Sequence, residues 1–229
     1  MIRLGKSGIE YLDRLWTFYS GCRNQELGIC YIPNCWAKGT VKRFPKHYPN
    51  GFEPTFYPEA FLSPLSLKKP SRIGVAFMGD LFGDWINPVE IFPDFQCQSD
   101  PKLLSQANLD LPFSLVLKHI IFSVIKACPQ HTFIFLTKCP NNLLLWSPFP
   151  SNVFVGVSVM TQGALDSAIY YLKAVDAKVK FLSFEPLLER INLESCWRLE
   201  EAGISWLIIG AQTNPYRPPN PLWIPEIIE

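Results

Sequence analysis

Val153-Phe-Val-Gly-Val157, a helix-like segment from Thr161 to Val175, and Val179-Lys-Phe-Leu182 follow one another and carry the clearest structural signal in this chain. The two short runs are mostly apolar, which is typical of strands that are covered on both faces. The segment between them is amphipathic, and Thr161 is a suitable N-cap for a helix. A strand, a crossover helix and a second strand make a βαβ unit, which predicts a parallel sheet wound by right-handed crossovers.

The same alternation extends over much of the 229 residues. Tyr11 to Tyr19 is predicted to supply a first strand, Cys35 to Arg43 a first helix, and Phe113 to Ala127 a later helix. Three further apolar runs have the length of strands: Ile73-Gly-Val-Ala-Phe-Met78, Thr132-Phe-Ile-Phe-Leu136 and Trp206-Leu-Ile-Ile209. About six βα units result, whereas a closed TIM barrel has eight. We therefore predict an α/β fold, a partial (β/α)6 TIM-like barrel, with a flat doubly wound sheet as the alternative.

One domain is predicted for residues 1–229, because single α/β barrels reach this length without dividing. Three segments interrupt the alternation: a cysteine-containing loop over residues 20–36, a proline-rich, aromatic excursion over residues 44–72, and a long loop over residues 87–112. A loop as long as the last is often a lid or a binding element. Residues 221–229 resemble the start of a last helix, so the final unit is expected to be short or missing.

The composition argues against several classes of protein. Charged residues make up 18% of the chain and the net charge is +1, so a nucleic-acid partner has no support from charge. The N-terminus has no apolar segment typical of a signal peptide, and no run approaches the roughly eighteen apolar residues of a membrane span. We expect a cytoplasmic protein with reduced thiols and no membrane partner.

Three cysteines, Cys22, Cys30 and Cys35, lie within fourteen residues of one another. Thiolates select zinc, copper(I) or iron–sulfur clusters, and three of them leave one coordination position open for a substrate or cofactor. We therefore interpret this group as a metal site. The other four cysteines are isolated in sequence and are interpreted as small hydrophobic residues in or near the core: Cys97, Cys128, Cys139 and Cys196.

Polar residues stand at the C-terminal ends of the predicted strands, where ligands bind in parallel α/β folds. They are Gly79-Asp80, Thr137-Lys138, Ser158, Ser183-Phe-Glu185 and Gly210-Ala-Gln-Thr213. The cysteines also follow a predicted strand, so the sequence predicts an active site on this edge of the sheet. Structural interpretations are also open: Asp80 could cap a turn and Glu185 could pair with a cation. Lys138 could be a catalytic or phosphate-binding lysine, but we interpret it as a solvated loop residue.

A series of short motifs extends over nearly the whole chain. The series starts with Trp16-x4-Gly21-Cys22, Cys30 and Cys35-Trp-Ala-Lys38. It continues through Phe52-Glu-Pro-Thr-Phe56, Phe77-Met-Gly-Asp-Leu-Phe82, Phe135-Leu-Thr-Lys138, Asn152-Val-Phe-Val-Gly-Val-Ser158, Phe181-Leu-Ser-Phe-Glu-Pro-Leu-Leu188 and Trp206-Leu-Ile-Ile-Gly-Ala-Gln-Thr213. In these motifs the chain resembles a phage- and prophage-associated family of unknown function, whose members are predicted to be related to radical S-adenosylmethionine enzymes.

The resemblance implies a partial (β/α)6 barrel in which Cys22, Cys30 and Cys35 hold a [4Fe–4S] cluster. S-adenosylmethionine would chelate the fourth iron, and an electron donor would start cofactor cleavage and hydrogen abstraction from an unidentified substrate. The cysteine spacing, C-x7-C-x4-C, is wider than the common C-x3-C-x2-C, so a larger loop is expected.

The same resemblance implies roles for residues at the strand ends. Gly79 and Asp80 would meet the amino group of the cofactor. Ser158 and Glu185 would meet its ribose or the substrate. These four residues are the candidate cofactor-binding site.

A zinc site is the alternative interpretation of the three cysteines. His47 would be the fourth ligand, because Cys3His zinc is a common structural site. The protein would then be a non-catalytic, zinc-stabilised barrel that binds a protein or nucleic-acid partner. The two interpretations differ in whether the fourth position is open or filled by His47.

Overall fold

The structure is a computed structural model that describes residues 4–91, 116–193, 197–213 and 215–228. Its main sheet has seven strands within these ranges. Their order across the sheet is β1 (Gly5–Lys6), β2 (Arg14–Trp16), β5 (Arg72–Val75), β6 (Thr132–Thr137), β7 (Val153–Ser158), β8 (Val179–Phe184) and β9 (Ile204–Ile209). Two small antiparallel pairs lie outside it, β3 (Tyr19–Ser20) with β4 (Thr55–Phe56), and β10 (Gln212–Thr213) with β11 (Tyr216–Arg217).

The strands β2 and β5 to β9 are all parallel and follow one another in chain order, while β1 is antiparallel to β2. The prediction of an α/β fold with a mostly parallel sheet is therefore confirmed. The alternative of a doubly wound sheet is wrong, because such a sheet reverses its strand order at a switch point and this one does not.

Six α-helices connect or follow these strands in the described ranges. They are α1 (Trp36–Arg43), α2 (Leu117–Lys126), α3 (Leu143–Trp146), α4 (Gln162–Ala174), α5 (Trp197–Glu201) and α6 (Pro225–Ile228). The predicted N-cap of α4 is confirmed, because the Thr161 hydroxyl accepts a hydrogen bond from the Ala164 N–H at 3.2 Å. No described helix is both long and apolar enough to cross a membrane.

Two predicted segments differ from the structure. The expected strand from Tyr11 to Tyr19 divides after Trp16, and its end turns away to form β3 against β4. The buried Trp16 indole donates a hydrogen bond to the Ala60 carbonyl at 2.9 Å, which ties the irregular excursion of residues 44–72 to the sheet. The predicted loop of residues 87–112 lies outside the described residues from position 92 onward, as does the start of the helix predicted from Phe113.

The sheet is strongly curled. In a flat sheet β2 and β9 would be about 24 Å apart, since strands are spaced by roughly 4.8 Å. In the structure, however, the ring of Tyr11, three residues before β2, lies 5.7 Å from the ring of Trp206 on β9 in an edge-on arrangement. Apolar side chains from β2, β6, β7, β8 and β9 join these rings in one cluster on the concave face. The convex face packs against the helices and contains the larger hydrophobic core.

Candidate functional site

A cavity of about 500 Å³ lies at the carboxyl ends of the parallel strands. Side chains that follow β5, β6, β8 and β9, and the last residue of β7, all reach it. The seven residues predicted from sequence as the metal and cofactor site all line this cavity: Cys22, Cys30, Cys35, Gly79, Asp80, Ser158 and Glu185. Lys138, which we interpret as a solvated loop residue, also lines this cavity and is half-buried.

The cysteine loop is organised around Asn24, which is 2% exposed. The Asn24 carbonyl accepts hydrogen bonds from the N–H groups of Ile29 at 2.8 Å and Cys30 at 3.0 Å. The backbone N–H of Asn24 donates a hydrogen bond to the Cys22 sulfur at 3.4 Å. One asparagine therefore closes the loop on itself and orients the first thiol.

Asp80 connects this loop to the sheet. Its carboxylate accepts hydrogen bonds from the Asn24 side-chain amide at 2.8 Å, the Thr137 hydroxyl at 2.7 Å, the Lys138 N–H at 2.9 Å and the Phe82 N–H at 3.1 Å. A carboxylate has about four acceptor sites, so these donors occupy them. This geometry gives Asp80 a positioning role beneath the cysteine loop, and its expected contact with the amino group of a cofactor stays a prediction.

Gly79 and Gly21 allow the backbones of two segments to touch beside Cys22. Gly21 forms an isolated parallel bridge with Gly79 and donates its N–H to the Met78 carbonyl at 3.1 Å. A Cβ on Gly79 would overlap the Gly21 carbonyl oxygen, and Gly21 has a φ of +94° that favours glycine. These glycines set the position at which the cysteine loop leaves the sheet.

The electrostatics of the site favour the neutral form of the Cys22 thiol. Burial raises the pKa of Cys22 to about 12, the Asn24 N–H opposes this rise, and the Asp80 carboxylate adds to it. The Lys138 ammonium lies close enough to lower the same pKa slightly. Metal ligands are thiolates, so metal binding here would release protons and would be favoured by a cationic neighbour.

A fourth cysteine belongs to the same network. Cys139 is buried, and its thiol donates a hydrogen bond to the Asn24 side-chain carbonyl at 3.2 Å. Burial raises its pKa, and the nearby carboxylates of Asp80 and Asp84 add to the rise. Cys139 is thus buried, as its interpretation as a small hydrophobic residue implies, but its thiol also takes part in a hydrogen-bond network. Buried Cys128 agrees with the same interpretation. Cys97 and Cys196 lie outside the described residues.

Glu185 and Ser158 belong to the wall formed by β7 and β8. The Glu185 carboxylate accepts hydrogen bonds from the Ser183 hydroxyl at 3.1 Å and the Tyr11 hydroxyl at 3.4 Å. Burial and the charge of Glu185 raise the pKa of Tyr11. Gly210 leaves space for this carboxylate, because a Cβ there would come within 2.6 Å of its side-chain atoms. Glu185 is therefore held by hydroxyl donors, and no cation pairs with it in the part of the chain that the structure describes.

The three thiols face one cavity but do not converge on a point. Within the described ranges, no three His, Cys, Asp or Glu side chains are placed to hold a single ion. His47 is exposed, with its ring edge-on to Phe44 and outside the cavity lining. A tetrahedral zinc site needs ligands about 2.0–2.3 Å from one metal, whereas each thiolate of an iron–sulfur cluster binds its own iron. Three thiols around an open cavity are a donor set that a cluster with one open iron could use, and the choice between cluster and zinc stays a prediction.

Sequence reasoning missed Asn24 and Tyr11. Asn24 carries a weak local signal, since asparagine often closes short loops through hydrogen bonds to its backbone. Tyr11 and Ser183 act through Glu185, and Tyr11 is 174 residues away from it in sequence. No pattern within one stretch of the chain could have identified that contact.

Fold and site together define a parallel α/β protein with a thiol-lined cavity at the carboxyl edge of its sheet. The chain belongs to the family described as "Protein of unknown function (DUF5131)", which matches residues 108–229, just over half of its length. A search of curated proteins gave no match, and neither did a search of solved structures.

Proposed function

We propose that this protein is a [4Fe–4S] cluster- and S-adenosylmethionine-dependent radical enzyme built on a partial (β/α)6 barrel. The observation that carries the proposal is that three thiols and polar residues from five strand ends line one cavity. An enzyme that uses an open-sided metal cluster needs both features at the same place. The substrate is a separate molecule that shares this cavity.

The partial barrel is supported by strand order and by curvature. Six parallel strands in chain order wind in one direction, as they do in a barrel. The contact between Tyr11 and Trp206 brings the two sides of the sheet together across its concave face. Six strands are too few for the eight-stranded closure of a TIM barrel, so one side stays open for a substrate.

In this proposal Cys22, Cys30 and Cys35 bind the cluster as thiolates and leave one iron for the cofactor. When bound, the cluster and S-adenosylmethionine would supply reductive cleavage of the cofactor and hydrogen-atom abstraction from the substrate. Reduction requires an external electron donor, since no other redox group is implied.

The residues of the chain orient these components and limit the access of water. Asn24 and Asp80 fix the cysteine loop against the sheet through the hydrogen bonds described above. Glu185 presents a carboxylate for the hydroxyl or amino groups of a ligand. Apolar side chains form the floor of the cavity, which removes water and strengthens these polar contacts: Ile9, Leu15, Phe77 and Leu136.

The test is metal analysis of protein purified without oxygen. We expect iron and acid-labile sulfide in equal amounts, a brown colour that dithionite bleaches, and formation of 5′-deoxyadenosine from S-adenosylmethionine. The variant with Ala at Cys22, Cys30 and Cys35 should lose iron, whereas the matched variant Cys128→Ala should retain it.

Two outcomes would contradict the proposal. A colourless protein with one zinc per chain would support the zinc-stabilised binding protein, and His47→Ala should then release the zinc. A protein that stays free of metal after reconstitution with iron and sulfide would show a fold without the cofactor.

A further inference from the structure

We propose that Lys138 and Ser158 form an oxyanion-binding site that holds a phosphate or carboxylate group of the substrate. The two residues lie where the central cavity meets a side cleft. This inference rests on the proposed function, and it adds that the substrate carries an anionic group. Binding of the anion itself requires neither cluster nor cofactor.

The side cleft has a volume of about 310 Å³ and lies between the end of β6 and the start of α4. Its inner wall is formed by the cysteine loop, through Gly28, Ile29 and Tyr31. Lys138 and Ser158 line this cleft and the central cavity at once. A group bound by both residues would therefore be attached to a molecule that extends into the cavity of the three cysteines.

Both residues have unused hydrogen-bonding capacity. The Ser158 side chain belongs to a residue that is 5% exposed, and its hydroxyl has no hydrogen-bond partner in the part of the chain that the structure describes. The half-buried Lys138 ammonium likewise has no ion pair or hydrogen bond within those ranges, because only its backbone N–H is bonded, to Asp80. Both groups can be reached from the two cavities that they line, so a ligand in either cavity can use this bonding capacity.

The chemistry of the cleft selects an anion. Its lining contains one cation and several neutral donors, and no carboxylate. The neutral polar residues are Tyr31, Asn141, Ser158, Thr161 and Ser167. A lysine ammonium and hydroxyl donors in a partly dry site are the groups that bind phosphate or carboxylate oxygens.

Lys138 forms no ion pair with a carboxylate among the described residues, although Glu185 also lines the central cavity. The four donors already described occupy the Asp80 carboxylate. Asp84 accepts hydrogen bonds from the side-chain amides of Asn141 at 3.2 Å and Asn142 at 2.7 Å. The N-terminus of α4 adds little, because the Gln162 N–H donates to Glu189 at 2.7 Å and the Ala164 N–H to its Thr161 cap.

The experiment measures binding of inorganic phosphate and pyrophosphate to the full-length protein at constant ionic strength, by ³¹P NMR line broadening. Lys138→Met should weaken binding by roughly tenfold or more, because it removes a charge-assisted hydrogen bond. Ser158→Ala should weaken it by a few-fold. The control Lys68→Met removes an exposed lysine outside the cleft lining and should bind as the unmodified protein does. Thermal unfolding of each variant establishes that it is folded.

Three results would overturn the inference. The inference fails if Lys138→Met binds phosphate as tightly as the unmodified protein does. It also fails if Lys68→Met weakens phosphate binding as much as Lys138→Met does. Displacement of phosphate by S-adenosylmethionine alone would show that the site holds the cofactor carboxylate. Iron content is measured on the same samples, so a chain that binds phosphate but never iron retains the anion site while losing the proposed function.

Discussion

The carboxylate of Asp80 shows why a polar residue after a strand is an ambiguous signal. Its position at the edge of the sheet predicts contact with a ligand, and it does line the cavity. The side chain is 4% exposed and its oxygens are used by donors from three segments of the chain. Buried carboxylates are stable when hydrogen bonds satisfy all their lone pairs. Asp80 is thus a structural centre on which the position of the thiols depends.

Asp80→Asn should reduce the free energy of unfolding by about 1–3 kcal/mol, because an amide replaces two acceptor sites with donors and leaves buried groups unpaired. Urea denaturation measures this change. Hydrogen exchange should also accelerate at the amides of Ile29 and Cys30, since the loop loses its anchor.

Asp84→Asn is the matched control for this substitution, because Asp84 is an exposed aspartate four residues away. Its effect should stay within about 0.5 kcal/mol. If both variants unfold at the same urea concentration, Asp80 does not have the role assigned to it.

Among the elements, α4 illustrates how helix ends are determined. Thr161 caps its N-terminus, as its sequence position predicts. Its C-terminus depends on a residue of another element: the Lys180 ammonium on β8 donates hydrogen bonds to the carbonyls of Leu172 at 2.8 Å and Val175 at 3.1 Å. The Leu172 carbonyl also accepts the N–H of the C-cap residue Val175 at 3.2 Å, and a lysine that is 9% exposed supplies a charged donor to both carbonyls.

Lys180→Met keeps the length of the side chain but removes its three donors. We expect a loss of about 1–3 kcal/mol in the free energy of unfolding, because two buried carbonyls lose a charged partner. Lys178→Met, an exposed lysine two residues earlier, should change stability by less than about 0.5 kcal/mol. Equal thermal midpoints for the two variants would contradict this account of the helix end.

Elements were predictable wherever the signal was local. The apolar runs around Val153, Val179 and Trp206 and the helix after Thr161 all lie where the sequence places them. The end of β2 was not predictable, because the residues after Trp16 remain apolar and aromatic. Their pairing with β4, nearly forty residues later, ends the strand. Strand partners at that distance leave no periodic pattern in the segment itself.

At the scale of the whole molecule, curvature determines which residues meet. Tyr11 and Trp206 belong to opposite sides of the sheet and would not interact if it were flat. A double-mutant cycle with Tyr11→Ala and Trp206→Ala should therefore give a coupling energy of about 0.5–1.5 kcal/mol.

The matched cycle pairs Trp206→Ala with Tyr170→Ala, an exposed residue of α4, and should be additive within about 0.5 kcal/mol. Additivity in the first cycle as well would mean that the sheet is not curled as described. Tyr11→Phe separates the ring contact from the hydrogen bond to Glu185.

The sequence largely predicted which residues line the site, but it did not predict the role of each residue. All seven residues proposed from strand ends and cysteine spacing line one cavity, because parallel strands bring their carboxyl ends to one edge. Assigning tasks requires knowing which polar atoms are already bonded. Asp80 and Ser158 look equivalent in sequence, yet one is fully hydrogen-bonded and the other has a free hydroxyl among the described residues.

The hydrogen bonds of Asn24 also determine when the cysteine loop can be anchored during synthesis of the chain. Its partners Asp80 and Cys139 follow it by 56 and 115 residues. Ribosomes add roughly 5–20 residues per second, so the cysteine loop emerges on the order of ten seconds before its last anchor exists. During that interval the loop lacks its full set of anchors on the sheet, and the nascent chain can present its three thiols to the surrounding reductants, oxidants and metal ions. Any ordered loading of the site must therefore come after translation of the third parallel strand, β6, which makes its assembly a late step in the biogenesis of the chain.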